Sequence, residues 1–190
     1  MPRSYELKQR AEAQAETRQR IVEATAALHE EVGPARTTVA EIARRAGVQR
    51  LTVYNHFPED ADLFSACSSH WSSLHPPPDP SPWTQIADPD ARLRRALLDT
   101  YAWFEHNEAM LANVNRDTEV LPALAYVVAA GRGAYDKAVR DILLAGRGRR
   151  RAKVAAAIAL ALDFHTWRRL VRAEGLSPAE AAGLMVRLTR

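Results

Sequence analysis

The sequence is poor in the features that would cross-link the chain or hold it in a membrane. It has a single cysteine, Cys67, which excludes an internal disulfide framework and fits a reducing cytosol. Its apolar residues nowhere form a run of the roughly 18 positions that a membrane span needs. The N-terminus is polar and charged, so we expect no signal peptide.

The motifs of common enzymes are also absent. The sequence contains no G-x-S-x-G, no H-E-x-x-H and no glycine-rich phosphate loop after a strand. Cys67, His70 and His75 lie close together in the chain, but their spacings do not repeat and no fourth ligand is evident. Ordinary helical positions explain these three residues better than a metal site does. We therefore expect no catalytic residue, no metal and no cofactor.

The sequence does have apolar content and a small excess of positive charge. Apolar residues make up 47% of its 190 positions, which is enough for a real core. The formal net charge of +3 permits binding to nucleic acid but does not by itself argue for it. The apolar positions recur with the period of a helix, which predicts an all-α chain.

The segment 37–57 predicts two short helices joined by a tight turn. Thr38 and Glu41 fit a capping box at the start of the first helix, and Gly47 is suited to end it. The second helix is predicted from about Gln49 to residue 57. Its inward side chains are Val53 and Phe57. This spacing is typical of a DNA-binding helix-turn-helix, with an ordinary helical hairpin as the alternative.

The same segment resembles the DNA-binding domain of the TetR (tetracycline-repressor) family of bacterial transcription regulators. The resemblance extends from about Thr17 to Phe64 and rests on Thr38-Val39, Ile42-Ala43, Ala46-Gly47-Val48, Thr52-Val53-Tyr54, His56-Phe57 and Leu63. The chain departs from the family pattern at Gln49, a poor helix cap, at Leu51, and at Asp60, where a basic residue is common. These departures leave the operator sequence open.

The resemblance implies two roles for side chains of the helix-turn-helix. The residues implied to hold the phosphate backbone are Thr38, Arg50, Tyr54 and His56. The residues implied to read base edges are Leu51, Thr52 and Asn55. Arg44, expected to be exposed on the first helix, could join the phosphate set. For His56, a plain capping or packing role is the alternative.

The chain divides at its densest run of prolines. We expect an N-terminal DNA-binding domain over residues 1–75, with the helix-turn-helix at about 38–57 and a linking helix at about 59–74. A proline-rich connector follows at 76–89, and a helical C-terminal domain at 90–190. Ahead of a firm helix at Thr17–Val32, residues 1–16 are predicted to be a frayed tail, with a DNA-touching helix extension as the alternative.

By the resemblance, the C-terminal domain holds a small-molecule effector and forms a homodimer. Ligand pockets are mostly apolar with a few polar groups. The candidate lining residues are Trp103, Phe104, Met110, Tyr135, Phe164 and Trp167, with Asn107 and Arg116 as polar anchors. Because aromatic residues at helical spacing usually belong to a core, a packing role is the alternative for each.

Two helices are predicted at the end of the sequence, one at Ala152–Glu174 and a last one that begins with a capping box at Ser177 and Glu180. The resemblance implies that they pair with the same helices of a second subunit. The predicted interface comprises Ala155, Ile158, Ala159, Leu162, Thr166, Leu184, Met185 and Leu188. Packing within one chain is the alternative. The basic loop before this pair, residues 146–151, is predicted to be solvated.

These expectations combine into one functional hypothesis. The chain is expected to be a dimeric repressor in the bacterial cytoplasm, associated with the nucleoid, that binds a palindromic operator and is released by a small molecule. A regulator without an effector is one alternative. A helical enzyme or small-molecule-binding protein with an incidental helix-turn-helix is the other.

Overall fold

The computed structural model of the chain describes residues 3–147 and 151–189, and every regular element in that part is helical. The all-α fold class is therefore confirmed. The helices group into two compact units. The first unit comprises the residues up to His75 together with Ala109–Gly131, and the second comprises Pro76–Glu108 and the residues from Arg132 onward. Within the described part, no helix combines the length and apolar content of a membrane span.

The N-terminal part of the first unit is built from α1 (Arg3–Glu31), α2 (Val39–Ala46), α3 (Arg50–His56) and α4 (Asp60–Leu74). These helices share one core, to which α1 contributes Ile21, α2 contributes Ile42 and α3 contributes Val53, each at most 3% exposed. Helices as short as α2 and α3 are marginal in water on their own. Burial against α1 and α4 is therefore what stabilises them.

Helix α1 is longer than the firm helix predicted at Thr17–Val32, because it begins at Arg3. The described structure thus favours the helix extension over the frayed tail, with Met1 and Pro2 outside the described residues. Residues 7–16 are exposed along this extension. Paired charges such as Lys8 and Glu12, 3.9 Å apart one turn along the helix, give it modest local support.

The ends of α2 follow the prediction in part. The Thr38 Oγ1 atom accepts the Glu41 N–H at 3.2 Å, as a cap should. The return half of the expected capping box does not form, because the Glu41 carboxylate instead accepts from Arg44 Nε at 3.1 Å. Gly47 ends the helix at φ 67° and ψ 38°, a left-handed conformation that glycine adopts without steric cost.

The rest of the chain continues through α5 (Pro89–His106), α6 (Glu108–Thr118), α7 (Pro122–Leu144), α8 (Arg151–Ala161), α9 (Phe164–Arg168) and α10 (Pro178–Leu188). The helical spacing of Leu93, Leu97, Tyr101 and Phe104 predicts one apolar stripe on α5, and each of these residues is at most 2% exposed. The segment 76–89 is more than a connector. Its Trp83 is 0% exposed and donates from Nε1 to Asp99 Oδ2 at 2.8 Å.

The structure groups the second half of the chain differently from the expected domain at 90–190. Ala109–Gly131, which holds most of α6 and the start of α7, belongs to the first unit. Polar side chains of α6 explain this grouping, because Asn113 and Asp117 hydrogen-bond to the backbone at the end of α1 and in the loop after it. Apolar periodicity marks the face that a helix buries, but it does not identify the partner.

The single helix predicted at Ala152–Glu174 is divided in the structure. Helix α8 ends at Ala161, and Asp163 starts α9 by accepting the Thr166 N–H at 2.8 Å. A π-helical turn at Arg169–Ala173 continues α9. The capping box at the start of α10 is confirmed, with both reciprocal bonds formed between Ser177 and Glu180. Of the expected basic loop, Gly148, Arg149 and Arg150 lie outside the described residues.

Candidate nucleic-acid interface

Helix α3 presents a polar and aromatic face to solvent. Leu51 is 66% exposed and Tyr54 is 53% exposed, and both Arg50 and Asn55 are exposed beside them. Two further residues implied to contact DNA, Thr52 and His56, are half-buried. The face therefore offers a guanidinium group, a phenol hydroxyl and a carboxamide, which suit phosphates and base edges.

The opposite face of α3 is anchored in the core. Val53 is 1% exposed and Phe57, which caps the end of the helix, is 4% exposed, as the sequence predicts. The Arg18 guanidinium carbon lies 4.5 Å from the centroid of the Phe57 ring, a cation–π contact that fixes the ring from the α1 side. No side-chain hydrogen bond caps the start of α3, in line with the poor cap expected at Gln49.

The cations near this face differ in how freely they can meet a phosphate. Arg44 is exposed as expected, but it pairs with Glu41. The hydrogen bond from Arg44 holds the pKa of the Glu41 carboxyl below its usual value. Glu41 is therefore ionised near neutral pH and partly neutralises Arg44. No ion pair is found for Arg50 among the described residues, so its charge is the less neutralised of the two.

Two arginines that the sequence analysis did not single out tie α1 to α2. Arg20 Nη1 donates to the Ala46 carbonyl oxygen at 3.2 Å and so satisfies an acceptor at the end of α2. Arg45 forms a two-pronged contact with Glu31, with both N–O distances at 2.7 Å. The partners are separated by 26 and 14 positions, so no local pattern could have paired them.

His56 lies at the edge of a groove of about 610 Å³ between α1 and α4. The polar groups that line the groove include those of Arg18, Gln19, His56, Asp62, Ser65 and His70. Gln19 Nε2 and His70 Nδ1 are 3.3 Å apart across it. A half-buried His56 at this rim fits both interpretations offered by the sequence, a packing role and a phosphate contact.

Comparison with known proteins identifies this arrangement. The family model described as "Bacterial regulatory proteins, tetR family" matches residues 21–67, the core of the helix-turn-helix unit. The regulator TtgR of Pseudomonas putida is 37% identical over 111 residues, covering 56% of this chain and 49% of TtgR. Residues 21–67 are therefore similar to the TetR family. It spans about half the length of the curated relative TtgR.

Other transcriptional regulators are similar to parts of the chain or to its fold. The regulator AcrR of Shigella flexneri is 45% identical over 58 residues, which cover 30% of this chain and 26% of AcrR. A TetR-like transcriptional regulator from Rhodococcus sp. RHA1 aligns over 91% of this chain and 93% of its own, with a TM-score of 0.62 and 18% identity. The regulator PfmR from Thermus thermophilus aligns over 89% and 96%, with a TM-score of 0.57 and 22% identity. These structures share the fold.

Cys67 is poorly suited to bind a metal. Its side chain is 4% exposed, and burial raises the pKa of the thiol to about 12, although a metal-binding cysteine must be deprotonated. The Sγ atom lies 3.6 Å from the Val22 carbonyl oxygen, to which it donates. Within residues 3–147 and 151–189, no three His, Cys, Asp or Glu side chains are grouped as metal ligands would be.

Four of the eight residues predicted to bind the effector form an aromatic cluster in the second unit. The ring centroids of Phe104 lie 5.7 Å from Trp103, 5.5 Å from Phe164 and 5.7 Å from Trp167. Asn107 caps the C-terminal end of α5, where its Nδ2 atom donates to the Trp103 carbonyl oxygen at 2.8 Å. Trp167 is 0% exposed, yet no acceptor is found for its Nε1–H among the described residues.

The other predicted ligand residues make contacts within their own units. Met110 and Arg116 belong to the first unit. Arg116 is engaged there by Asp117, Asn113 and the Val32 carbonyl oxygen. The Tyr135 hydroxyl donates to the Pro78 carbonyl oxygen at 2.9 Å.

The predicted dimer residues separate into an inner and an outer group. Ala155, Ile158 and Met185 are at most 5% exposed in the single chain, so they pack within it. Leu162, Thr166 and Leu184 are half-buried. Ala159 is exposed and Leu188 is 60% exposed. Leu160, which the prediction omitted, is 54% exposed and adds to the outer apolar surface.

Proposed function

We propose that the chain is a sequence-specific transcriptional repressor that acts as a homodimer on a palindromic operator in the bacterial cytoplasm. The observation that carries this proposal is the outer face of α3. Arg50, Tyr54 and Asn55 are exposed there, on a helix fixed from behind by Val53 and Phe57. This combination supports entry of α3 into a major groove, where phosphate contacts position the helix and base contacts specify the sequence.

Within this proposal the phosphate contacts come from Thr38, Arg44, Arg50, Tyr54 and His56, and the base contacts come from Leu51, Thr52 and Asn55. Exposure of Arg50, Tyr54 and Asn55 supports these roles. Half-burial of Thr52 and His56 limits each to a contact from the edge of the face. The matched relatives are named transcriptional regulators, which supports regulation rather than catalysis.

A small-molecule effector is part of the proposal, with the aromatic cluster around Phe104 and Trp167 as its candidate site. An unpaired buried indole N–H is costly unless an acceptor reaches it. A flat, mostly apolar molecule with one acceptor atom would satisfy Trp167 Nε1 and stack on neighbouring rings. Such a ligand releases the operator only if it binds one of two states of the protein more tightly than the other.

The first test is selection of sheared genomic DNA by the purified protein at physiological salt, followed by sequencing. We expect an inverted repeat whose half-sites lie about one helical turn apart. A parallel selection with an Asn55→Ala, Leu51→Ala double variant should lose the repeat but keep weak, sequence-independent retention. Equal retention of all fragments by the unmodified protein would contradict the proposal.

The same operator separates the proposal from a regulator that lacks an effector. Small aromatic compounds are added to the protein–operator complex, and release is followed by fluorescence anisotropy. We expect release by at least one compound and loss of that response in a Trp167→Phe variant, which keeps the ring contacts but removes the indole N–H. Release that is equal in both proteins would place the effector site elsewhere.

A further inference from the structure

The C-terminal end of α1 is capped by side chains from a helix far away in the sequence. Asn113 Nδ2, on α6, donates to the carbonyl oxygens of His29 at 3.1 Å and Glu30 at 2.7 Å. Arg116 Nη2 donates to the Val32 carbonyl oxygen at 3.1 Å. The last carbonyl groups of a helix have no partner within it, so α6 supplies the donors that α1 lacks.

Asp117 continues this contact into the loop that leads to α2. Its side chain is 3% exposed, and it accepts the Ala35 backbone N–H at 2.9 Å and Arg116 Nε at 2.7 Å. Burial raises the pKa of Asp117, but the hydrogen bonds from Arg116 and Ala35, together with the charges of Arg116 and Arg36, hold that pKa below its usual value. The carboxylate therefore stays charged while it binds the loop.

Gly33 shows how closely the loop and α6 fit together. Its φ of 95° is a conformation that other residues rarely adopt. A Cβ atom at this position would lie 2.2 Å from Arg116 Nη2 and 2.5 Å from Asp117 Oδ2. The Gly33 carbonyl oxygen in turn accepts from Thr37 Oγ1 at 2.9 Å, directly before the Thr38 cap of α2.

We infer that Asn113, Arg116 and Asp117 are positioning residues for DNA reading, because they fix the loop that sets α2, and with it α3, against α1. We call these three side chains the α6 clamp. The inference rests on the proposed DNA-binding function, but it adds residues that lie outside the helix-turn-helix. It also gives Arg116 a structural role that the sequence analysis did not assign.

The α6 clamp should affect the reading of bases more than the attraction to phosphates. Base contacts require side chains of α3 to meet donors and acceptors at fixed positions, whereas the attraction of cations to DNA tolerates displacement. A loosened loop should therefore weaken binding to the operator while leaving binding to unrelated DNA nearly unchanged. The effect is isolated by a specificity ratio, the dissociation constant for unrelated DNA divided by that for the operator. Any loss of folded protein raises both constants by the same factor and leaves this ratio unchanged.

The experiment compares that ratio in the full chain and in three variants, using the recovered operator and a scrambled duplex at one salt concentration. Asn113→Ala and Asp117→Ala remove clamp bonds. Asn115→Ala is the matched control, since Asn115 is also a half-buried asparagine of α6 but donates to Leu111 of its own helix at 2.7 Å. We expect the specificity ratio to fall roughly tenfold or more in both clamp variants, which is the scale of one lost base contact. In the control variant we expect the ratio of the unmodified protein.

The outcomes are distinguishable. An unmodified protein that binds both duplexes equally would overturn the proposed function and this inference with it. A normal ratio in the unmodified protein that persists in Asn113→Ala would overturn the inference alone. Asn113→Ala decides the matter if Asp117→Ala fails to fold, because Arg116 then loses one neutral acceptor but keeps its charged partner Asp117. An equal fall in Asn115→Ala would also count against the clamp, since general softening of α6 would then explain the result.

Discussion

At the scale of single residues, His29 is the clearest case of a titratable group controlled by its surroundings. It is 5% exposed, with its ring centroid 5.8 Å from that of Phe64. Burial lowers its pKa to about 4, and the nearby charge of Asp117 only partly opposes this. The imidazole is therefore neutral in the folded protein near pH 7.

This low pKa predicts a loss of stability in mild acid. Between pH 6.5 and pH 4 the unfolded chain binds a proton at His29 that the folded chain does not, so the free energy of unfolding should fall as the pH falls through that range. Over the whole range, the low pKa of His29 should reduce the free energy of unfolding by roughly 3 kcal/mol. Urea unfolding at pH 7, 5.5 and 4.5 measures it, and His29→Gln should show a flatter pH dependence. Parallel curves for the two proteins would contradict the low pKa.

Gly33 supports a second prediction at this scale. Gly33→Ala should destabilise the first unit more than Gly47→Ala, which is expected to cost roughly 1–2 kcal/mol for a left-handed residue with a Cβ. Both glycines have positive φ, but the nearest atom to a Cβ at Gly47 is Arg20 Nη1 at 3.8 Å, an ordinary contact. Thermal unfolding of the two variants compares them. Equal costs would show that Arg116 and Asp117 yield easily.

The same residues show what a sequence can and cannot predict about a site. Val53 and Phe57 were predicted as anchors because helical spacing alone identifies the inner face of a short helix. The structural role of Arg116 could not be predicted, because its clamp partner Asp117 binds Ala35, 82 positions away in the chain. Helical spacing identifies buried faces, but it does not identify the distant backbone groups that polar side chains such as those of Asn113 and Asp117 bind.

At the scale of one element, the proposed function assigns separable phosphate and base contacts to α3. Arg50 is exposed, and no ion pair is found for it in the described part of the chain. Arg50→Ala should therefore weaken binding to all DNA and reduce the slope of log affinity against log salt by about 1 for each half-site. Titrations of operator and scrambled DNA between 50 and 200 mM salt measure the slope. An unchanged slope would remove Arg50 from the phosphate set.

Asn55 should behave differently although it lies on the same face. Asn55→Ala is expected to change preference at one or two base pairs of each half-site, by roughly 1–3 kcal/mol each, while the salt slope is preserved. Competition among single-base variants of the operator measures these preferences. A uniform loss of affinity across all variants would instead assign Asn55 to the backbone contacts.

Helix α8 shows where periodicity fails within one element. Its sequence is rich in alanine on every side, so the apolar stripe through Ala155, Ile158 and Ala159 does not distinguish an inner from an outer face. The structure buries Ala155 and Ile158 and exposes Ala159 and Leu160. In α5, by contrast, arginines and acidic residues separate the apolar positions, and the apolar residues at helical spacing are the buried ones.

At the scale of the whole molecule, the order of segments along the chain differs from their grouping into compact units. The helical class and most helix positions could be predicted from the sequence, because capping residues, glycines and prolines mark helix ends locally. The assignment of Ala109–Gly131 to the first unit could not, because it depends on polar side chains of α6 meeting backbone atoms of an earlier loop. The segment between α1 and α2 therefore depends on a helix that the sequence placed in another domain.

The outer apolar residues of α8 and α10 lead to a prediction for the assembly. If Leu160 and Leu188 meet a second subunit, Leu160→Glu with Leu188→Glu should convert a dimer to a folded monomer, because buried unpaired carboxylates are costly. Sedimentation velocity at micromolar concentration measures the change. The matched control is Tyr126→Glu, which alters an apolar residue that is 74% exposed in the first unit. The monomer should also bind single half-sites far more weakly than the dimer binds the full operator. A dimer that survives both substitutions would place the interface on another surface.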